Sequence, residues 1–419
     1  MIRSLTRQAV GWLASPRLAR LVGEPCFRLF GMPRDGEEID PGCLKRVLVV
    51  RLDEIGDVIM TTPFLRELRR LLPDAWITLV VKPAVHNLVE RCPYVNEVLT
   101  YDWRGSRYVQ PLQRRWRALA LAYRHFWHRQ FDVAILPRWD ADYYDATFVT
   151  YLSGARWRVG YSENVIEHKR RLNGGFDRLF TDVLDERTGK HEVQRGLDLI
   201  RFIGGAVQDD RLELWLGEGD EAFVERTLKS HAVHPDDLLI AFGPGAGAPK
   251  RMWPLPNFLE LGNWLGKEFQ ARIVVVGGHG EGPLGNELQR RLGETVINVV
   301  GQTTLRQTGA LLARCELFVG NDAGPAHLAA AGRVPVVEIS CHAKDGSHLH
   351  YNSPTRFGPW GVPHRVLQPE TGLELCSGAC TAPRAHCILS VGVQRVKEAI
   401  VALLSRQGNS LVLERVVEH

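Results

Sequence analysis

Asn321, Asp322, Ala323, Gly324, Pro325 and His327 sit between a short apolar run, 317–320, and an alanine-rich run, 328–331. Read as strand, turn and helix start, they offer free backbone N–H groups and the positive end of a helix dipole, which together suit an anion such as phosphate. Proline fits the first helical turn, where its missing N–H leaves nothing unpaired. Gly324 lets the backbone turn sharply and approach a ligand. Taken alone, the same residues also describe an ordinary strand-to-helix turn capped by Asp322. Two further glycine-bearing stretches tip the balance. Residues 243–247 carry Gly245 and lead to Lys250 and Arg251, and residues 277–282 carry Gly278 and Glu281. If all three follow parallel strands, they open on one sheet edge. Backbone amides with Lys250 and Arg251 can then hold a diphosphate by charge-assisted hydrogen bonds, without a metal. Gly278 and Glu281 would border a nucleoside, with Glu281 bonding a ribose hydroxyl.

A different chemistry is available near the amino end. Asp53, Glu54 and Asp57 crowd one turn after an apolar run. At the carboxyl end of a central strand, where open α/β sheets place ligands, such a carboxylate can take a proton from a hydroxyl. Asp57 also reads as a helix cap, and Asp53 and Glu54 as acceptor-side or solvent residues. Neither half contains G-x-G-x-x-G, so no dinucleotide site is expected.

The elements that would position these residues alternate. Strands are expected at 46–52, 77–81, 98–101, 133–136, 238–242, 272–276 and 334–339. Helices are expected at 112–126, 191–203, 257–268, 305–314 and 393–404, with another after Asp57. Alternation of this kind is the mark of an α/β fold with parallel sheets. A chain of 419 residues exceeds one core. The division expected is an amphipathic extension and linker at 1–45, a first Rossmann-like domain at 46–215, a second at 216–405 and a tail at 406–419. The acidic stretch 209–237 reads as the connection between the two.

A formal net charge of +4 is too small to argue for nucleic acid. No apolar run reaches 18 residues, and no small-residue cleavage pattern follows the first apolar stretch, so a cytoplasmic protein is expected. The extension at 1–45 mixes arginines with apolar residues at helical spacing, which suits either an anionic membrane surface or the protein's own body. Residues 103–129 interleave seven arginines with aromatic rings. That suits a phosphorylated glycolipid at a membrane, and equally an ordinary amphipathic helix.

The chain resembles the ADP-heptose:lipopolysaccharide heptosyltransferases, family 9 of the glycosyltransferases. Four segments carry the likeness: 47–70 with its Arg-Leu-x-x-Ile-Gly-Asp-Val core, 243–254, 301–312, and 320–331 with Gly-Asn-Asp-Ala-Gly-Pro-x-His. It runs from about residue 45 to 400 and leaves the extension out. The resemblance implies a GT-B architecture, two Rossmann-like domains facing across a cleft, the first holding the acceptor and the second the sugar nucleotide. It implies inverting, metal-independent transfer without a cofactor, from ADP-heptose to a glycolipid acceptor at the inner membrane. Asp57 falls on the family's base, Arg251 with Lys250 beside it on a donor-phosphate contact, and Asp322 and the following amides on the donor turn. Another nucleotide sugar, a protein acceptor, or a non-catalytic sugar-nucleotide scaffold remain open alternatives. Many relatives carry four cysteines near the C-terminus, and some hold iron with them. Here Cys376, Cys380 and Cys387 remain, with Cys341 as a distant fourth, in a spacing that matches no standard zinc pattern. The three histidines of 342–350 read as a solvated loop.

Overall fold

The structure is a computed structural model, and it describes residues 38–103, 110–373 and 382–406 together with Leu21 and Gly23. The N-terminal extension, Cys376 and Cys380 lie outside the described residues. The chain divides into two compact units between Asp210 and Arg211. Each is built on six strands with a run of hydrophobic side chains sealed between sheet and helices.

In the first unit β1 (Arg46–Arg51), β2 (Trp76–Val81), β3 (Glu97–Thr100), β4 (Val133–Leu136), β5 (Trp157–Tyr161) and β6 (Asp182–Leu184) form one sheet in the order β3-β2-β1-β4-β5-β6. All pairs are parallel, with Val47 opposite both Ile77 and Val133. β1 is apolar on both faces because helices cover both, and its five residues from Val47 on are buried. It feeds α1 (Ile55–Met60) and α2 (Thr62–Leu71). Pro63 forces the break between them: it cannot donate inside a continuing helix, yet it fits the first turn of a new one. The other principal helices are α3 (Gln110–Leu121), α4 (Ala146–Leu152) and α5 (Glu192–Phe202). α3 runs on through one wide turn at Ala122–Phe126, where the Trp127 N–H reaches back five residues to the Ala122 carbonyl.

The second unit repeats the plan. β7 (Leu239–Gly243), β8 (Arg272–Val275), β9 (Val296–Asn298), β10 (Leu317–Asn321), β11 (Val336–Ile339) and β12 (His364–Leu367) lie in the order β12-β11-β10-β7-β8-β9, again all parallel. The helices are α6 (Glu218–Ser230), α7 (Leu255–Phe269), α8 (Gly282–Leu292), α9 (Leu305–Leu312), α10 (Gly324–Ala331) and α11 (Val393–Arg406). Trp253 anchors the core against Phe258, and its indole N–H donates to the Val391 carbonyl at 2.7 Å.

Two expectations need correction here. The acidic stretch 209–237 is not simply a connection, because it contains α6. The Gly217 N–H donates to Asp220 at 2.9 Å, and Asp220 accepts from Arg306 of α9 at the same distance. Only Asp220, Val224 and Leu228 of α6 are buried, too thin a stripe for periodicity to register. Asp322 does not cap α10. Ala323 holds that position, and the Asp322 side chain is engaged elsewhere. No helix among the described residues is long and apolar enough to cross a membrane.

Candidate functional site

Strand order in the first sheet reverses between β1 and β4, which opens a crevice at their carboxyl ends. The residues after β1 fill that place. Asp53 is 1% exposed and sits between two guanidiniums, Arg51 at 3.2 Å and Arg138 in direct contact. It is an internal counter-charge, not a solvent residue. Arg51 reaches on to Asp57 Oδ1 at 3.3 Å, and the Glu54 N–H donates to Asp57 Oδ2 at 3.3 Å, closing the cap of α1. Burial pushes the Asp57 carboxyl above the ordinary aspartate value; Arg51 opposes this and Glu192 adds to it. The side chain still keeps 22% of its surface exposed. A carboxylate that is held in place, raised in basicity and open to one side can accept a proton from a bound hydroxyl. Glu54 is the exposed member. Lys82 pairs with it at 2.5 Å and the Tyr144 hydroxyl donates to it at 2.7 Å, with the Lys82 ammonium 4.3 Å above the Tyr144 ring.

In the second sheet the reversal falls between β7 and β10. The loops after β7, β8 and β10 therefore open on one edge. Asn321 is fully buried and ties two of them together. Its Nδ2 donates to the Pro244 and Gly245 carbonyls at 2.8 and 3.3 Å, while its Oδ1 accepts the Trp253 N–H at 2.9 Å. Arg251 Nη2 bonds the Asp322 carboxylate at 2.8 Å and also its carbonyl. Both contacts use Nη2, so Nη1 has no protein partner among the described residues. Ala323, Gly324 and Pro325 stand half-buried at the start of α10 with its amides. Lys250 is half-buried in the short turn Pro249–Arg251 beside them.

Glu281 has a second task. Its Oε2 accepts the Gly278 N–H at 2.7 Å, and its Oε1 occupies the space where a Cβ on Gly245 would lie 1.8 Å away. Gly245 is glycine because this carboxylate crosses its backbone, and Glu281 joins the loops after β7 and β8. Burial raises its pKa, opposed by the Gly278 N–H. His327 is buried near Asp322 and Arg251, with Nδ1 unbonded among the described residues. Burial holds its pKa below the ordinary histidine value, so it is neutral near neutral pH.

Some residues of this edge carried no expectation. Glu338 on β11 lies opposite Gly320, is 1% exposed, and has both carboxylate oxygens unbonded among the described residues. Burial, and then Asp322, push its pKa well above the ordinary carboxylate value against the pull of Arg251. A lone acid inside an apolar strand was the visible signal. In the first unit Arg138 gave no such signal, and Arg51 entered only as the first residue of the Arg-Leu-x-x-Ile-Gly-Asp-Val core.

The cysteines do not assemble within the described residues. Cys341 is half-buried with Asn352 Nδ2 at 3.9 Å, Cys387 is buried beside His386 Nδ1 at 3.0 Å, and no group of three metal-ligating side chains occurs among those residues. The histidine loop is less solvated than expected. His342 and His350 stack at 5.0 Å, and the His342 carbonyl accepts from Gln368 at 2.8 Å.

The model of glycosyltransferase family 9 (heptosyltransferase) matches residues 123–368, more than half of the chain. A lipopolysaccharide heptosyltransferase 2 of Salmonella typhimurium is 26% identical over 379 residues, covering 87% of this chain and 99% of that protein. Among solved structures, a family 9 glycosyl transferase from Veillonella parvula aligns with a TM-score of 0.73 at 22% identity, over 89% of this chain and 100% of the other. The E. coli ADP-heptose lps heptosyltransferase II aligns at 0.63 and 24%, over 87% and 99%. These two likenesses speak for the fold, two Rossmann-like units of the GT-B type, as the sequence resemblance implied. The family match covers β4 through β12 and so takes in the loops after β7, β8 and β10; the chain belongs to glycosyltransferase family 9, the heptosyltransferases, and is a transferase.

Proposed function

We propose that the protein transfers heptose from ADP-heptose to a lipopolysaccharide-core acceptor, with inversion at the anomeric carbon and Asp57 as the base. The observation that carries this reading is Asp57 itself: fixed by Arg51 and the Glu54 N–H, raised in basicity by burial, and partly open to solvent. In the reaction an acceptor hydroxyl gives its proton to Asp57, and its oxygen attacks the anomeric carbon from the side opposite the diphosphate. The bond from that carbon to the phosphate oxygen breaks, and its electron pair leaves on ADP. A positioned carboxylate contributes about 10²–10⁴ in rate to such a step.

The second unit supports the donor half of the proposal. Arg251 Nη1, Lys250 and the N–H groups of Ala323 and Gly324 at the start of α10 would offer positive charge where the departing diphosphate gains negative charge. Gly245, Gly278 and Glu281 would flank the nucleoside, with Glu281 joining their two loops and Asn321 holding the Gly245 loop to β10. Charge neutralised in this way needs no metal ion, and transfer is expected to persist in excess chelator. ADP-heptose as donor is the reading drawn from the likeness to the E. coli ADP-heptose lps heptosyltransferase II. Work at the cytoplasmic face of the inner membrane follows from a lipid-linked acceptor. The test is to incubate the protein with ADP-heptose and a lipopolysaccharide-core acceptor, with and without chelator, and to determine the anomeric configuration of the product. A product of retained configuration, or transfer that stops with chelator and returns with a divalent cation, would sink the mechanism.

A further inference from the structure

Along α3 and the wide turn after it, Trp116, Ala120, Tyr123 and Trp127 recur at four, three and four residues, the spacing of a single helix face. All four are exposed, Trp116 by 65%, Tyr123 by 72% and Trp127 by 43%. The Trp127 indole N–H is satisfied internally by the Leu152 carbonyl at 2.9 Å, and Tyr123 packs edge-on to its ring at 6.0 Å. Arg117 and Arg124 flank the stripe, both exposed, and Arg124 has no ion pair among the described residues. The sequence of 103–131 holds seven arginines and no carboxylate. Arg115, Arg117 and Arg129 pair with Asp145, Asp102 and Glu97 from outside it, which among the described residues leaves Arg124 as the exposed cation beside the rings. The core-facing residues of the same segment, Ala118, Ala122 and Phe126, are covered. The stripe is aromatic, exposed and bordered by Arg117 and Arg124.

We propose that this stripe docks on an anionic lipid bilayer, with α3 lying along the surface and its indole and phenol rings in the headgroup layer. Rings of this kind settle where one end meets hydrocarbon and the other meets water, and arginines beside them pair with lipid phosphates. The first turns of α3 also lead toward the acceptor-side carboxylates. The Arg114 guanidinium lies 4.4 Å over the Trp103 ring, Trp103 is 5.2 Å from Tyr144, and Tyr144 donates to Glu54. A glycolipid anchored in the same bilayer would find its sugar guided along this path. That last step, unlike the docking itself, rests on the proposed function.

The test is sedimentation of the full chain with phosphatidylglycerol–phosphatidylcholine vesicles and with pure phosphatidylcholine vesicles. The protein is expected to bind the anionic vesicles and to come off in high salt. Trp116→Ser combined with Tyr123→Ser, and separately Arg124→Glu, should each lower the vesicle-bound partition about tenfold. Both should leave the melting temperature, ADP binding and transfer to an acyl-free acceptor unchanged. Equal binding to the two vesicle types, no binding to either, variants that bind as well as the parent chain, or a parent dimer that the variants convert to monomer would overturn the proposal. If vesicles bind as expected while no heptose is transferred to any acceptor, the docking surface stands and the functional reading falls.

Discussion

Replacing Asp57 by Asn separates its structural contacts from its proposed role as base. The exchange keeps size and shape, and it leaves Arg51 its other partners, Asp53 at 3.2 Å and the Pro137 carbonyl. What is lost is at most one of two long contacts, Arg51 or the Glu54 N–H, each at 3.3 Å. Cap and hydrogen-bond losses of that kind cost about 1 kcal/mol. A second effect runs the other way. Because the folded chain holds the Asp57 proton above the ordinary aspartate pKa, it binds that proton more strongly than the unfolded chain does. Stability is therefore fullest below the ordinary value and falls as pH rises through the window between it and the folded-state value. Asn removes that loss. At pH values above the window the variant should melt within a few degrees of the parent, on either side. Turnover, in contrast, should fall by about 10²–10⁴, equivalent to roughly 3–5 kcal/mol of barrier. Single-turnover measurement of heptose transfer, calorimetric titration with ADP, and thermal melts from pH 4 to 9 would read the three quantities separately. If the Asn variant kept more than about a tenth of the parent rate, the base assignment would fail. If it lost ADP binding along with the rate, the separation of roles between the two units would fail.

Arg251→Met should weaken ADP binding about 10- to 100-fold by calorimetry, the range for losing a charge-assisted bond to phosphate; unchanged affinity would remove Arg251 from the donor site. Gly245→Ala should lower ADP affinity because its Cβ displaces the Glu281 carboxylate, and adding Glu281→Ala should return part of the lost affinity; strict additivity of the two changes would mean that the contact does not shape the site. Glu338→Gln concerns stability. The native acid keeps its proton well above the ordinary value, so the parent chain should lose stability as pH rises from there through the folded-state value, and the variant's melting temperature should not show that slope. Parallel melting curves against pH would refute this account of Glu338.

Legibility followed the physics of burial. β1, β4, β7 and β10 announced themselves as apolar runs because each is covered on both faces. β6 and β9 did not, being three residues long, and β12 did not because His364 and Arg365 are exposed at its start. α6 was missed for its thin apolar stripe. Within the site, glycine and proline in 243–254 and 320–331 were readable because their backbone roles restrict residue type. The partners that fix those loops were less so. Nothing local to Glu281 says that it crosses Gly245, and nothing local to Arg51 says that it bridges Asp53 and Asp57. Such pairings join residues distant in sequence or differently placed on a turn, and they exist only once the strands are in order.

The two sheets make the point sharper, since they share one strand order. In each, the chain's first strand of the unit lies beside its fourth, β1 with β4 and β7 with β10, and the chemistry follows those strands. The scaffold therefore fixes where a ligand can sit but not its charge. After β1 and β4 come Asp53, Glu54, Asp57 and Arg138, so guanidiniums hold carboxylates and a raised acid results. After β7 comes a glycine loop, and β10 ends on Asn321, whose buried amide spends its bonds on backbone carbonyls and on the Trp253 N–H. Asn321 thereby fixes the loops whose free amides can face an anion, a task no charged side chain could perform while fully buried without a counter-ion. Aspartate at that position would keep the acceptor for Trp253 but lose both donors, turning a satisfied crosslink into an unpaired buried charge facing two carbonyls. The contrast between a paired acid in one crevice and a neutral crosslink in the other is what would suit the first to proton removal and the second to holding a diphosphate, as the proposed function requires.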